Sequence, residues 1–313
     1  MKKGLYFIAG LASLTLASQG AMATCKDISR EQLISAVGAA VAAQTGGYQD
    51  PANLKMWVTM VDETGLVCHV ATSGTEGATA GNHQWLGSRV ISAQKANAAN
   101  AFSLDGYAIS TANLFRTNQD GHDLYGLQHS NPVDASIAYL GSPKKYGTDK
   151  DPLKGKRIGG VNVFGGGLAL YKDGKTKIGA IGVSGDTACR DHAFAWRIRK
   201  ALGGGTHGMH PFENGAGLGG TLGYQTGTGK GTGITNYNVN HTGVVQKPLT
   251  NATYGDEMIL KADNPDDEYW DQTWSHPQCN GSIKDTSGDA IAIPENGILT
   301  NERAVIMTDQ NAR

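Results

Sequence analysis

The chain has 313 residues, a formal net charge of −1, 44 glycines and 18% charged residues. So mild a charge argues against a nucleic-acid or membrane-surface partner. Many glycines and few charges exclude a charged helical bundle and point to tight turns and long loops.

Residues 1–23 read as a secretory signal, with Lys2 and Lys3 before an apolar run from Gly4 to Ser18 and a small-x-small cleavage site at Ala21-Met22-Ala23. The run is too short to span a bilayer, and Thr24 before Cys25 argues against a lipid anchor. The mature chain is expected to start at Thr24, periplasmic or secreted. Loss of Lys2 and Lys3 moves its net charge to −3. Cys25, Cys68, Cys189 and Cys279 form an even, widely spaced set, expected to give two disulfides from three possible connectivities. No Cys-x-x-Cys occurs, which excludes covalent c-type haem and argues against a thioredoxin-like site.

Ser29 to Gln32 reads as a capping box, followed by an apolar stripe of Leu33, Ile34, Val37 and Val41. This predicts a helix ending near Gly46-Gly47. Leu54 to Val61 alternates as a strand, Asp62 to Gly65 is a turn, and Leu66 to Ala71 is the hairpin partner. Ser88 is placed to cap a second helix, "SRVISAQKANAANAFS", with Val90, Ile91, Ala98 and Phe102 as apolar contacts. Its alanines permit close approach by a neighbouring surface. Ser110 and Thr111 start a short helix through Phe115, and a long ordered loop follows to about residue 158. Two strands around Asp173-Gly174 form a second hairpin. Thr187 to Leu202 closes the set as a helix, with Arg197, Arg199 and Lys200 near its negative end. Antiparallel strands with interspersed helices predict an α+β fold rather than a doubly wound parallel sheet.

Residues 203–313 read as an extension without a strong core, wrapped on the first domain or on a neighbouring subunit. Residues 203–233 hold 13 glycines, and residues 256–271 hold seven acids against Lys261. The G-x-G-x-x-G match at Gly203 to Gly208 follows a helix rather than a strand and is rejected. "TGTGKGTG" fails the phosphate-loop spacing. His207 and His210 have a separation that suits one metal ion, though solvated loop histidines would look the same. His122 and His129 flank Tyr125, so either imidazole suits haem iron or a hydrogen bond to backbone. Ser184, Asp191 and His192 do not make the spacing of a hydrolase nucleophile, and no catalytic residue is assigned.

Two segments go beyond generic reading. "SRVISAQKANAANAF", residues 88–102, resembles the Lys-Ala helix of the haem-binding GlcG/HbpS-like family. "GGVNVFGGGLALYKDGKTKIGAIGVSGDTACRDHAFA", residues 159–195, resembles that family's closing hairpin and helix. The resemblance spans about residues 28–202. It departs at Asn162-Val163, where the family usually has a proline, and at the long insertion before Gly159.

The resemblance implies a profilin-like α/β/α sandwich with a five-stranded antiparallel sheet, homo-oligomers, and haem binding in several members. The domains expected are a signal at 1–23, the GlcG/HbpS-like domain at 24–202 and the extension at 203–313. By position, Lys95 matches the family helix, and Ser184, Gly185 and Asp191 match the strand-to-helix turn. A planar apolar ring would lie on the Ala-rich helix with Lys95 or Arg89 near its propionates. At the turn, Ser184 or Asp186 caps the helix, or its N–H groups face a propionate. The leading expectation is an exported haem- or tetrapyrrole-binding protein. The alternatives are an enzyme acting on haem or another small organic molecule, and a partner-binding module using the acidic stretch around Trp270 and Trp274.

Overall fold

The computed structural model describes residues 25–42, 55–74, 85–105, 107–203, 209, 256, 259–260 and 275–276. The signal, His207, His210, Cys279, Trp270, Trp274 and the side chain of Cys189 lie outside these described residues.

Helix α1 (Arg30–Ala42) starts where the capping box put it. Gln32 N–H donates to Ser29 Oγ at 3.2 Å, and Ser29 N–H donates to Gln32 Oε1 at 2.7 Å, so two otherwise unpaired donors are satisfied. The buried stripe is Leu33, Ala36, Val37 and Ala40. Ile34 and Val41 instead stay 39% and 38% exposed. The helix is turned so that Leu33 and Val37, with Ala36 and Ala40, meet the neighbouring elements.

Strands β1 (Trp57–Asp62) and β2 (Val67–Thr72) form the first antiparallel hairpin. Asp62 Oδ1 accepts from Thr64 and Leu66 N–H, and Gly65 takes φ +78° to complete the turn. Both strands are buried almost throughout, rather than alternating, because both faces of the sheet are covered. Strands β3 (Gly167–Lys172) and β4 (Thr176–Ser184) make the second hairpin. Asp173 and Gly174 both take positive φ, as a type I′ turn requires. The sheet order is β2-β1-β4-β3, antiparallel throughout.

Helix α2 (Gly87–Phe102) lies on one face of this sheet. Ser88 does not cap it. The helix begins one residue earlier without a side-chain cap, and Ser88 is buried inside its first turn. Ala93, Ala96 and Ala99 are fully buried. Gly182 on β4 is the reason they are small: a Cβ there would lie 1.9 Å from Ser92 O and 2.4 Å from Ala96 N. Helix and strand therefore touch through backbone.

The 103–158 region is not one plain loop. It holds α3 (Leu114–Thr117), α4 (Leu127–Ser130), α5 (Ala135–Ala138) and a 3-10 turn at Pro143–Lys145. The first begins later than Ser110 because Asn113 Oδ1 accepts from Ser110 N–H at 2.8 Å, making a separate turn ahead of it. Leu153 and Ile158 join α2 and the strands in one apolar cluster. Helix α6 (Ala188–Ala201) and α1 build another, with Leu33, Met60, Ile181, Phe194 and Trp196. The two-residue strands β5 (Ile259–Leu260) and β6 (Ser275–His276) pair in parallel. The architecture is a mixed α+β fold around an antiparallel sheet of four described strands. Among the described residues, no helix is long and apolar enough to cross a membrane.

Cys25 and Cys68 form a disulfide across a separation of 43 residues, tying the start of α1 to β2. Closing a loop of that length restricts the unfolded chain, so Cys68→Ala is expected to lower stability by about 2–4 kcal/mol. Urea unfolding of the two proteins measures it, and an unchanged midpoint would show that the bridge carries no stability.

Candidate strand-to-helix site

The sequence around Ser184 brings a slim strand into α6 through a turn, and Lys95 reaches this turn from α2. Lys95 Nζ donates to Asp191 Oδ2 at 2.8 Å and to Val183 O at 3.0 Å, with both side chains buried. Asp191 Oδ1 accepts from Asp186 N–H at 3.0 Å, and Asp186 Oδ1 accepts from Thr187 N–H at 2.6 Å. Asp186 and Asp191, not Ser184, thus serve the helix start. Gly166 encloses the pair: its Cβ would sit 3.1 Å from Lys95 Nζ and 3.0 Å from Asp191 Cβ. Gly185 is equally crowded, against Lys55 O at 2.6 Å.

One residue beyond Asp191, His192 is fully buried, and among the described residues neither of its ring nitrogens has a hydrogen-bond partner. Its ring centroid lies 6.2 Å from that of Trp196, one turn along. Burial, with Arg199, His276 and Lys95 nearby, holds its pKa well below the ordinary histidine value, so it is neutral. Asp191 moves the other way. Burial raises it to about 6, with Lys95 pulling it back.

Arg199, expected near the negative end of α6, turns inward and is fully buried. It donates to Ala169 O at 3.0 Å, pairs through both terminal nitrogens with Asp256, and lies 4.5 Å over the Trp196 ring. The inward turn follows from that carboxylate, which comes from far along the chain. Met209 bridges backbone groups of Tyr171 and Arg199. His276 is buried between Phe115 and Phe164, at centroid distances of 5.2 and 6.4 Å, and its Nε2 accepts from Gly165 N–H at 3.4 Å.

Of the residues singled out in the sequence, Lys95, Ser184 and Gly185 meet at this turn. Arg89 lies elsewhere on α2, in a buried two-point pair with Asp151 and 3.7 Å over Tyr146, and donates to Ala138 O. His122 is half-buried and His129 exposed, both on the stretch around α4. His192 was legible only as a possible triad member. Its spacing with Trp196 and Arg199, along one helical face, was the available signal. Among the described residues, the cluster with metal-ligand atoms close together is Cys25, Asp62 and Cys68. Its sulfurs are spent in the disulfide.

Stability should depend on pH through these groups. His192 binds a proton in the unfolded chain below about pH 6.5 but not in the fold, so its contribution is lost as pH falls through that value. Asp191 has the opposite sign, since its folded value of about 6 exceeds the ordinary 3.8 and its ionisation between about pH 4 and 6 weakens the fold. The two oppose each other, so the clean readout is a difference. Acidification from pH 7 to 5 should destabilise wild type more than His192→Leu. Parallel denaturation curves for the two proteins would refute this.

A family model described as haem degrading protein HbpS-like matches residues 28–199. The chain belongs to this HbpS-like family. Similar solved structures include a PduOC–haem complex, at 25% identity and TM-score 0.37, covering 57% of this chain and 98% of that one. Another is protein ORFY of Klebsiella pneumoniae, at 23% and 0.34, covering 55% and 85%. A third is a double mutant of Streptomyces reticuli HbpS, at 16% and 0.31, covering 64% and 99%. No curated protein matches the chain. The HbpS-like match ends at residue 199, so Met209, Asp256 and His276 are contributions from outside the family region.

Proposed function

We propose that this HbpS-like chain binds haem or a related tetrapyrrole after export to the periplasm or medium, as a homo-oligomer. The observation that carries the reading is the haem-degrading family match over residues 28–199. Among the described residues His192 offers a neutral imidazole whose nitrogens have no partner, a form that ligates iron, beside Trp196; it is fully buried, so haem would reach it only by displacing neighbouring side chains. Bound haem would supply a redox-active iron. In this reading His122 and His129 are further ligand candidates on the surface, and Ser184 and Gly185 are the propionate contacts. Lys95 and Arg89 would act as propionate partners only by sharing or leaving Asp191 and Asp151. A fifth strand completing a profilin-like sandwich, the boundaries at 23 and 202, and a metal on His207 and His210 belong to the same reading.

Titration of the purified protein with haemin should give a saturable Soret band with one site per subunit. A flat, non-saturating response removes the proposal. The family description favours one second reading, breakdown of the bound haem. Loss of haem under reductant or peroxide, faster than for free haem, would support it.

A further inference from the structure

We infer that the chain carries a redox-gated metal site. When the Cys25–Cys68 bridge is reduced, the two sulfurs and the Asp62 carboxylate together hold one thiophilic divalent cation of the zinc class. This site is separate from the haem reading and does not depend on it.

The strand period places the donors. Val58, Met60 and Asp62 alternate along β1 and so share one face of the sheet. On that face Val58 and Met60 pack in one cluster with Cys68 of β2 and the buried side of α1. Asp62 therefore ends the row beside the bridge, and a carboxylate oxygen of it lies within 4.8 Å of both sulfurs.

Charge then selects the occupant, because buried charges are paired or coordinate metals. Four aspartates are buried among the described residues. Asp151, Asp191 and Asp256 each face a cationic side chain, from Arg89, Lys95 and Arg199. Asp62 is 2% exposed and faces none among the described residues. Its Oδ1 is fixed by Thr64 N–H, Thr64 Oγ1 and Leu66 N–H, at 2.9, 2.7 and 3.0 Å. Its Oδ2 has no hydrogen-bond partner among the described residues. A carboxylate with one oxygen locked by outer hydrogen bonds and the other open is held as a metal ligand is held.

Reduction supplies the other two donors. A dithiol breaks the S–S bond and is itself oxidised to a disulfide, leaving two cysteine thiols. The cation then displaces their two protons to solvent. Ligands on one tetrahedral zinc stand about 3.5–3.8 Å apart, so the sulfurs must part. Cys25 is the one placed to move, since it lies outside every helix and strand and is half-buried, whereas Cys68 is fixed in β2. The fourth position falls on the Cys25 side, where water reaches it. The start of α1 is thus tied to β2 in reducing as well as oxidising surroundings.

Co2+ titration of the full chain carrying Cys189→Ser and Cys279→Ser, reduced with a phosphine under anaerobic conditions, tests the site. Thiolate-to-cobalt charge-transfer absorption should appear, saturate at one ion per chain and be displaced by Zn2+. The oxidised chain should show none. In the same background, Cys25→Ser and Asp62→Asn should each weaken Co2+ binding by about tenfold or more, with circular dichroism confirming the fold. Asp62→Asn keeps the Oδ1 acceptor and removes the charge, so a merely structural Asp62 would leave the affinity unchanged; Asp62→Ser replaces it if it does not fold. Absence of saturable absorption in the reduced parent overturns the inference, as does unchanged affinity in either folded variant. If reduction unfolds the parent, Zn2+ should restore its folded spectrum and not that of reduced Cys25→Ser. No recovery, or equal recovery in both, overturns it.

Discussion

Gly182→Ala is expected to leave little or no folded protein at room temperature. The added carbon would meet Ser92 O at 1.9 Å and Ala96 N at 2.4 Å, and both are main-chain atoms of α2 that cannot rotate away. Relief requires lifting a whole helix off the sheet. Overpacking a core ordinarily costs about 1–3 kcal/mol, and a backbone-to-backbone clash belongs above that range. Since a domain holds only about 5–15 kcal/mol in total, one methyl group can remove a large part of it. Gly38→Ala is the matched control. Gly38 lies on α1 with open space where the carbon would go, so that variant should gain about 0.5–1 kcal/mol. Equal unfolding midpoints for the two variants would contradict the backbone seam.

Asp191→Ala should cost about 3–5 kcal/mol at pH 7, because it strands the buried Lys95 ammonium with Val183 O as its remaining acceptor. The double variant Lys95→Met/Asp191→Leu should recover most of that loss, since well-packed apolar groups replace a buried ion pair at little cost. Chemical denaturation of the two single variants and the double gives the coupling directly. A loss below about 1 kcal/mol for Asp191→Ala would mean that water reaches the pair and that the turn is not sealed.

What the sequence disclosed was local. The Ser29–Gln32 box and the Asp173-Gly174 turn are made by neighbours in the chain, and both stand as read. The small residues on α2 and β4 announced close contact, and Gly182 supplies it. The α1 stripe was misjudged at Ile34 and Val41 because hydrophobicity alone does not say which side of a helix meets a neighbour. Likewise, the alternation read into the first hairpin could not reveal that both its faces are covered. The site was harder still. Arg89 and Asp151 are separated by 62 residues, and Arg199 and Asp256 by 57, so no spacing rule joins them. The family resemblance placed Lys95 on its helix and Ser184 and Asp191 at the turn, but did not join them; the Lys95–Asp191 pair does. The resemblance gave no reason to single out His192, whose complete burial beside Trp196 is visible only in three dimensions.

The seam between α2 and β4 also has a dynamic consequence. Alanine and glycine have no rotamers to adjust, so this layer has no graded way of loosening. The helix is either seated or gone. Amide protons along residues 92–99 and 180–183 should therefore exchange with deuterium only when the entire domain opens, as a single cooperative unit.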